Sequence, residues 1–428
     1  MEYKHRIIEY HQEMLIGFPV ILLAGPRQVG KTTLLKYLAS KFPRRPNFVT
    51  LDDINLRIQA EDDPQGFLDA YDTPLVIDEF QYAPKLLSYI KMRVDKARQE
   101  ALFTTHKQVE TMYFLTGSQV FETMGKVSES LAGRIGLCNL YALSARELDG
   151  GSRILNVSPF VPEISELKKR TPSRHLSQPE LFKQIVNGFY PELVVNQQIS
   201  AEQFYSSYIK TYLERDVRSI AAIKDEVKFL KFIRCLAART AQEYNASDIA
   251  SDVQIDSKTA DEWLSILKNT YLVHLLQPYS NNLNSRAIKR PKIYFTDTGL
   301  ASYLAGYTGS QLLENSAYSG AIFETYVVGE IIKSYVNSGV DISDKLYYYR
   351  DYAQKEIDLV IRSGDNLYPV EIKKTSTIPG IDAIKNFETL DKLIVNSNQK
   401  VSPGIVICNI EEVTPLHDGH FAIPVEKI

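Results

Sequence analysis

An α/β fold on a parallel sheet, followed by helical, winged-helix-like and smaller α/β segments, is predicted by three observations. The first is the apolar run "FPVILLAG" (18–25) passing without a gap into "GPRQVGKTTLLKYL", the G-x-x-x-x-G-K-[ST] arrangement of a phosphate-binding loop between a buried strand and a helix. The second is "TPLVIDEFQ" (73–81), where an apolar strand ends in two adjacent carboxylates. The third is a change of period: helical spacing through the middle of the chain gives way to strict alternation around turn chemistry at 355–375.

The bulk numbers set the frame. A chain of 428 residues, 44% hydrophobic and 24% charged, exceeds one typical core and predicts several packed domains. Net charge −3 excludes a whole-protein field for polyanions, so any nucleic-acid contact must come from a local patch. Cys138, Cys235 and Cys408 are too scattered for a disulfide framework or a zinc site. The N-terminus is charged and no run of 18 apolar residues occurs, so neither a signal peptide nor a membrane span is expected; the expected location is cytoplasmic.

Residues 1–150 read as a P-loop NTPase domain. Gly25 and Gly30 bracket the turn, Pro26, Arg27, Gln28 and Val29 fill it, and Thr33 follows in the helix. Backbone amides and the helix N-terminus then face the phosphates of ATP. Lys31 would reach the β and γ phosphates and Thr32 would ligate Mg2+. Ligands sit at the carboxyl ends of strands in such sheets, so Asp78 is expected to hold the metal and Glu79 to polarise the attacking water. "YFLTGSQ" (113–119) offers Thr116 and Ser118 as hydroxyls near the γ-phosphate, and "LAGRIG" (131–136) offers Arg134 as a cationic finger, in its own site or, in a homo-oligomer, a neighbour's.

"GPRQVGKTT", "LDD" (51–53), "LVIDEFQYAP", "FLTGSQ" and "SLAGRIG" together resemble the AAA-type P-loop ATPases of bacteria and archaea that carry a C-terminal domain of unknown function. The resemblance continues through "YLERDVRSI", "YFTDTGLASYL" and "GAIFETYVVGEI". It implies ATP binding and hydrolysis on an AAA-like sheet with a central P-loop strand and gives no substrate.

Residues 151–180 are rich in Gly, Pro and Ser and read as a linker or insert. Residues 181–240 are expected to form a helical lid, with Phe204, Tyr208 and Tyr212 on one face and Arg215 or Arg218 as candidates to approach the nucleotide. Residues 241–312 read as a winged helix whose second helix is capped by Asp256 or Ser257 and buries Trp263, Leu264 and Leu267. In a DNA reader that helix would enter the major groove, but Asp261 and Glu262 point against phosphate and leave protein contact as an equal reading. Arg286, Lys289, Arg290 and Lys292 lie close enough together in sequence for a basic patch that contacts the backbone of DNA, with a solvated wing as the alternative reading.

Residues 313–428 close the chain. "KEIDLVIRSGDNLYPVEIKKT" (355–375) alternates about "SGDN", a four-residue hairpin loop. Pairing Arg362 with Leu367 sets Asp358 opposite Glu371 and Glu356 opposite Lys373. Two facing carboxylates are unfavourable without a cation. With Glu324 from the helix pattern at 320–336, the set resembles PD-(D/E)xK nucleases, which have the restriction-endonuclease-like α/β fold. The resemblance implies a metal held by Glu324, Asp358 and Glu371, with Lys373 assisting. Two functions follow: an ATP-driven nuclease-like module acting on nucleic acid, or a nucleotide switch whose winged-helix and inactive nuclease-like parts bind protein partners.

Overall fold

The computed structural model describes residues 3–11, 17–41, 45–106, 108–117, 130–150, 159–212, 223, 225–280, 290–394 and 398–428. Five parallel strands, β1 (Val20–Ala24), β2 (Asn47–Thr50), β3 (Leu75–Asp78), β4 (Tyr113–Gly117) and β5 (Ile135–Asn139), lie in the order β2-β3-β4-β1-β5. The P-loop strand is therefore internal, between β4 and β5. Every neighbouring pair is parallel, which brings the carboxyl ends of β1, β3 and β4 to one edge of the sheet. Strands covered on both faces read as unbroken apolar runs. In β1, Ile21 and Leu23 enter the large core shared with the rest of the chain, while Val20 and Leu22 enter a second core beneath the sheet.

The middle segment supplies the helices Gln178–Asn187, Ala201–Tyr212 and Glu226–Ala238. Phe204, Tyr208 and Tyr212 line the buried face of the second, and the rings of Tyr208 and Tyr212 lie parallel, 6.5 Å apart. Arg215 and Arg218 lie outside the described residues. Helices Ala246–Val253 and Ser257–Asn269 follow, joined at Gln254, whose φ is 62°. Asp256 is the N-cap and accepts from the Thr259 amide at 2.8 Å, while Ser257 is the first helical residue. Trp263 packs edge-on against Phe229 and Phe232, with Leu264 and Leu267 also buried. An antiparallel ribbon of β6 (Val273–Leu276) and β7 (Lys292–Phe295) completes this part.

The long helix Ser319–Val336 is buried on most sides, consistent with its nearly uniform apolar sequence. After it come β8 (Leu346–Arg350), β9 (Glu356–Ser363), β10 (Asn366–Ile372), β11 (Lys400–Val401), β12 (Ile405–Cys408), β13 (Thr414–Pro415) and β14 (Phe421–Pro424). The sheet runs β13-β14-β12-β10-β9-β8, with β11 on β10. Strands β8, β9 and β10 are antiparallel, while β10, β12 and β14 are parallel. In the hairpin Leu367 faces Arg362, the register expected from the sequence. Its loop is tighter than expected: Asn366 pairs with Ser363, so only Gly364 and Asp365 turn the chain, and Gly364 takes the required positive φ of 60°.

Candidate active site

The phosphate loop is shaped by its two glycines. Gly25 has φ 147°, and a Cβ there would lie 2.0 Å from the Leu140 carbonyl oxygen, so β5 and the loop can close only over a bare backbone. Gly30 caps the helix Lys31–Ala39 in the left-handed region at φ 91° and makes no side-chain cap hydrogen bond, so the helix N-terminus is closed by backbone alone. Lys31 is buried and donates to the carbonyls of Gly25 at 2.9 Å and Pro26 at 2.7 Å. Its ammonium thus lies over the loop that the backbone amides surround.

The carboxylate partner comes from the next strand but one. Thr32 Oγ1 donates to Asp78 at 3.1 and 3.0 Å, and Thr116 Oγ1 donates to the same carboxylate. Glu79 follows Asp78 with φ 55° and ψ 44°, a left-handed conformation that is strained for a side chain of this size. Its amide donates to Thr116 Oγ1 at 3.4 Å, and Gln81 Nε2 donates to its carboxylate. Thr116 is wholly buried, and its hydroxyl is shared between the Asp78 carboxylate and the Glu79 amide. Ser118 lies outside the described residues. A hydroxyl, a carboxylate and a glycine-bracketed loop of backbone amides are the hard-oxygen and N–H donors that Mg2+ and a nucleoside triphosphate require.

A cleft of about 970 Å³ opens over these groups. Arg27, Gln28, Lys31, Thr32, Thr33 and Glu79 line one side, and Phe204, Ser207, Tyr208 and Thr211 of the Ala201–Tyr212 helix line the other. Val29 is buried beneath the loop.

Arg134 is not brought to this site. It precedes β5, whose first residue pairs with the first residue of β1, so it stands at the opposite edge of the sheet, about 17 Å from the loop along the strand. There it makes a bidentate pair with Asp95 at 2.6 and 3.0 Å, which lowers the aspartate pKa and raises that of the guanidinium. A finger acting on its own loop is excluded by that placement.

Sequence reasoning missed the brace under the loop. Arg6 is buried and donates to Val29 O at 3.0 Å, Tyr141 O at 2.8 Å and Glu147 Oε1 at 3.1 Å. Glu147 also accepts from the amides of Ile7 at 2.9 Å and Ser144 at 2.8 Å. The local half was readable, because "SARE" (144–147) is a capping box. Nothing near Arg6 in sequence announces a partner 141 positions away.

The C-terminal acids also meet. Asp358 Oδ2 accepts from the Ile372 amide at 2.8 Å, next to Glu371 on the facing strand. Lys373 bonds Glu371 at 2.5 Å rather than Glu356, a correction to the pairing expected from register: Lys373 lies just past the end of β10, two residues from Glu371, so the two meet along the chain. Glu324 accepts from Tyr294 Oη at 2.6 Å and from Lys292 Nζ at 3.0 Å. Lys292 also pairs with Glu356 at 2.5 Å and is only 2% exposed. It is therefore removed from the basic patch: of the four residues, Arg286 and Lys289 lie outside the described residues and Arg290 is exposed. Burial, then the neighbouring Asp358, pushes Glu371 up to about 8, Lys373 opposing. Burial likewise raises Glu324 to about 7, against the pull of Lys292, and raises Asp358. Among the described residues no three His, Cys, Asp or Glu side chains are arranged to hold a metal ion.

Residues 17–149 match the family model of an AAA domain, which supports an AAA-type P-loop ATPase reading of this part of the chain. Residues 178–311 and 319–428 match two models described only as domains of unknown function, DUF8612 and DUF4143. Uncharacterized proteins of Mycobacterium bovis and Mycobacterium tuberculosis are each 27% identical over 411 residues, covering 96% of this chain and 81% of theirs. Among solved structures, the RuvB Holliday junction branch migration motor of Thermotoga maritima is 16% identical over 60% of this chain and 81% of its own, at a TM-score of 0.28. The ORC2 protein of Aeropyrum pernix is 14% identical over 70% and 89%, at 0.32. Likenesses at these scores carry no inference about activity. No helix among the described residues is long and apolar enough to cross a membrane.

Proposed function

We propose that the chain hydrolyses ATP at the P-loop and uses the cycle to reposition its C-terminal module. The observation that carries this reading is the convergence of the Thr32 and Thr116 hydroxyls on Asp78, beside Lys31 and next to Glu79. Loop amides and Lys31 bind the β and γ phosphates, and Tyr208 and Phe204 close the cleft from above. Thr32 and Asp78 would hold Mg2+, which neutralises charge between the phosphates. Glu79 takes a proton from water as its oxygen bonds to the γ-phosphorus and the bond to the β–γ bridging oxygen breaks, leaving ADP and phosphate. The test is paired. Lys31→Ala is expected to abolish tight ATP binding, and Glu79→Gln to keep binding while lowering turnover by roughly 10²- to 10⁴-fold. Normal affinity and normal turnover in Lys31→Ala would refute the assignment.

For the C-terminal module, the facing pair Asp358 and Glu371 with Lys373 and Glu324 supports a metal-dependent, PD-(D/E)xK-like site acting on nucleic acid. The burial of Lys292 among the same acids favours the second reading, a nucleotide switch whose winged-helix and C-terminal parts bind protein partners. Duplex and single-stranded DNA affinity across a salt series separates them. A steep fall with salt supports the first, because displaced counterions mark phosphate contacts, and no measurable affinity at low salt supports the second. Under either reading, Arg134 could serve catalysis only in a homo-oligomer.

A further inference from the structure

A cavity of about 500 Å³ lies between the helix Ala145–Asp149, the helix Gln178–Asn187, the long helix Ser319–Val336 and residues 425–428, and it shares no lining residue with the nucleotide cleft. Its size is that of a small-molecule pocket, about 300–1,000 Å³. Two of its charged groups are already paired: Glu330 accepts from the Ala145 amide at 2.7 Å and from Lys333 at 2.8 Å, and Arg174 at the rim bonds Glu180 at 2.9 Å. Three others are left open. Arg146 donates from Nε to Ile428 O at 3.3 Å, but its Nη groups have no partner among the described residues. Loss of solvent lowers the pKa of this guanidinium, against Asp149 and Glu330, so a bound anion would favour its charged form. Tyr326 is 4% exposed and its ring is stacked on Phe189, yet its hydroxyl also has no hydrogen-bond partner among the described residues. Glu426 Oε1 accepts from the Leu176 amide at 2.8 Å, while its Oε2 is buried and accepts nothing there. Donors and acceptors held out of water in this way are unfavourable until something pairs with them.

We propose that this cavity binds a small ligand with a carboxylate, an N–H donor and an apolar body, the chemistry shared by a free apolar amino acid and a short apolar peptide. The ligand carboxylate takes the Arg146 Nη donors and the Tyr326 hydroxyl, and its N–H group donates to Glu426 Oε2. Leu148, Leu176, Leu193 and Val194 cover the apolar body. Simpler ligands fit less well. A plain anion would leave Glu426 Oε2 unpaired and bring a like charge beside Glu330 and Glu426, and a plain amine would leave Arg146 and Tyr326 open. Entry needs no rearrangement of the core, because Ser173, Lys183 and Asn187 on the cavity wall are exposed. The site goes beyond ATP hydrolysis and beyond the C-terminal acids and rests on neither.

The experiment titrates four probes into the full chain without nucleotide, followed by saturation-transfer NMR: leucine, leucyl-leucine, isocaproate, which is leucine without its ammonium, and isoamylamine, which is leucine without its carboxylate. Wild type is compared with Arg146→Gln, Tyr326→Phe and Glu426→Gln, with thermal unfolding as the check on folding. Leucine or leucyl-leucine is expected to bind saturably at millimolar concentration, and the tighter of the two identifies the source. Arg146→Gln should weaken that probe about ten-fold or more, and Tyr326→Phe, which removes only a hydroxyl, about three- to ten-fold. Isocaproate should bind more weakly than leucine to wild type but equally to Glu426→Gln, and isoamylamine should show no binding. The comparison of probes on wild type needs no variant to fold. Absence of saturable binding by both leucine and leucyl-leucine would overturn the proposal, as would affinity unchanged in Tyr326→Phe and in a folded Arg146→Gln, or isoamylamine binding as tightly as leucine.

Discussion

His274, on β6 opposite Tyr294, shows how one side chain can set a pH limit for its surroundings. Loss of solvent around the ring, with Lys268 adding, pushes its pKa down to about 4 from 6.5. A base whose pKa falls on folding resists protonation only in the folded state. Stability is therefore full above about pH 6.5 and is lost as pH falls toward 4, by about 3 kcal/mol at most. His274→Gln is expected to match wild type at pH 7.5 and to flatten this decline, measured by urea unfolding at stepped pH; an unchanged decline would assign the acid sensitivity elsewhere. The residue scale also shows what local sequence conveys. That Lys31, Thr32 and Asp78 would be neighbours was legible because the P-loop pattern and the strand that ends in two carboxylates fix residue type and spacing. Lys292 was not, because an isolated lysine beside Arg290 reads as a surface patch until its distant acids are known.

At the scale of elements, "YFTDTGLASYL" gains a physical role. Asp297 caps the helix Thr298–Leu304 by accepting from the Leu300 amide at 2.8 Å. The same carboxylate accepts from Tyr205 Oη at 2.6 Å and from the Phe189 amide at 2.8 Å, so it ties three helical segments together. Gly188 and Gly299 leave the room: a Cβ on either would fall 1.9 or 2.3 Å from Tyr205 Oη. Asp297→Ala would remove a cap, leave the buried Phe189 amide without its acceptor and leave Tyr205 Oη only the Asn187 carbonyl at 3.2 Å, costing about 2–4 kcal/mol. A thermal midpoint that falls by several degrees is expected, with partial recovery in Asp297→Asn; no shift would sink this account. Periodicity located the hairpin, its register and the aromatic face of the Ala201–Tyr212 helix, since each follows from spacing within one element. It could not give the partner of Lys373, because two residues of one strand face and one across the ladder compete at similar range.

Across the whole molecule, the parts the sequence left obscure are those made by contacts between segments far apart in the chain. The unbroken apolar run of β1 marked a buried strand, but not that one of its faces shares a core with the C-terminal sheet. The helix Ser319–Val336 makes this concrete. Near its start Glu324 belongs to the carboxylate cluster. Farther along, Glu330 accepts from the Ala145 amide at 2.7 Å and Lys333 donates to Leu143 O at 2.9 Å. Just past its end Asn337 reaches Glu147 at 3.4 Å, and Glu147 holds Arg6, which holds Val29 of the phosphate loop. At 18 residues the helix is about 27 Å long and, hydrogen-bonded turn to turn, it transmits displacement rather than absorbing it. The phosphate loop and the carboxylate cluster thus stand at the two ends of one unbroken run of contacts, from Val29 through Arg6, Glu147 and Asn337 to the helix that carries Glu324.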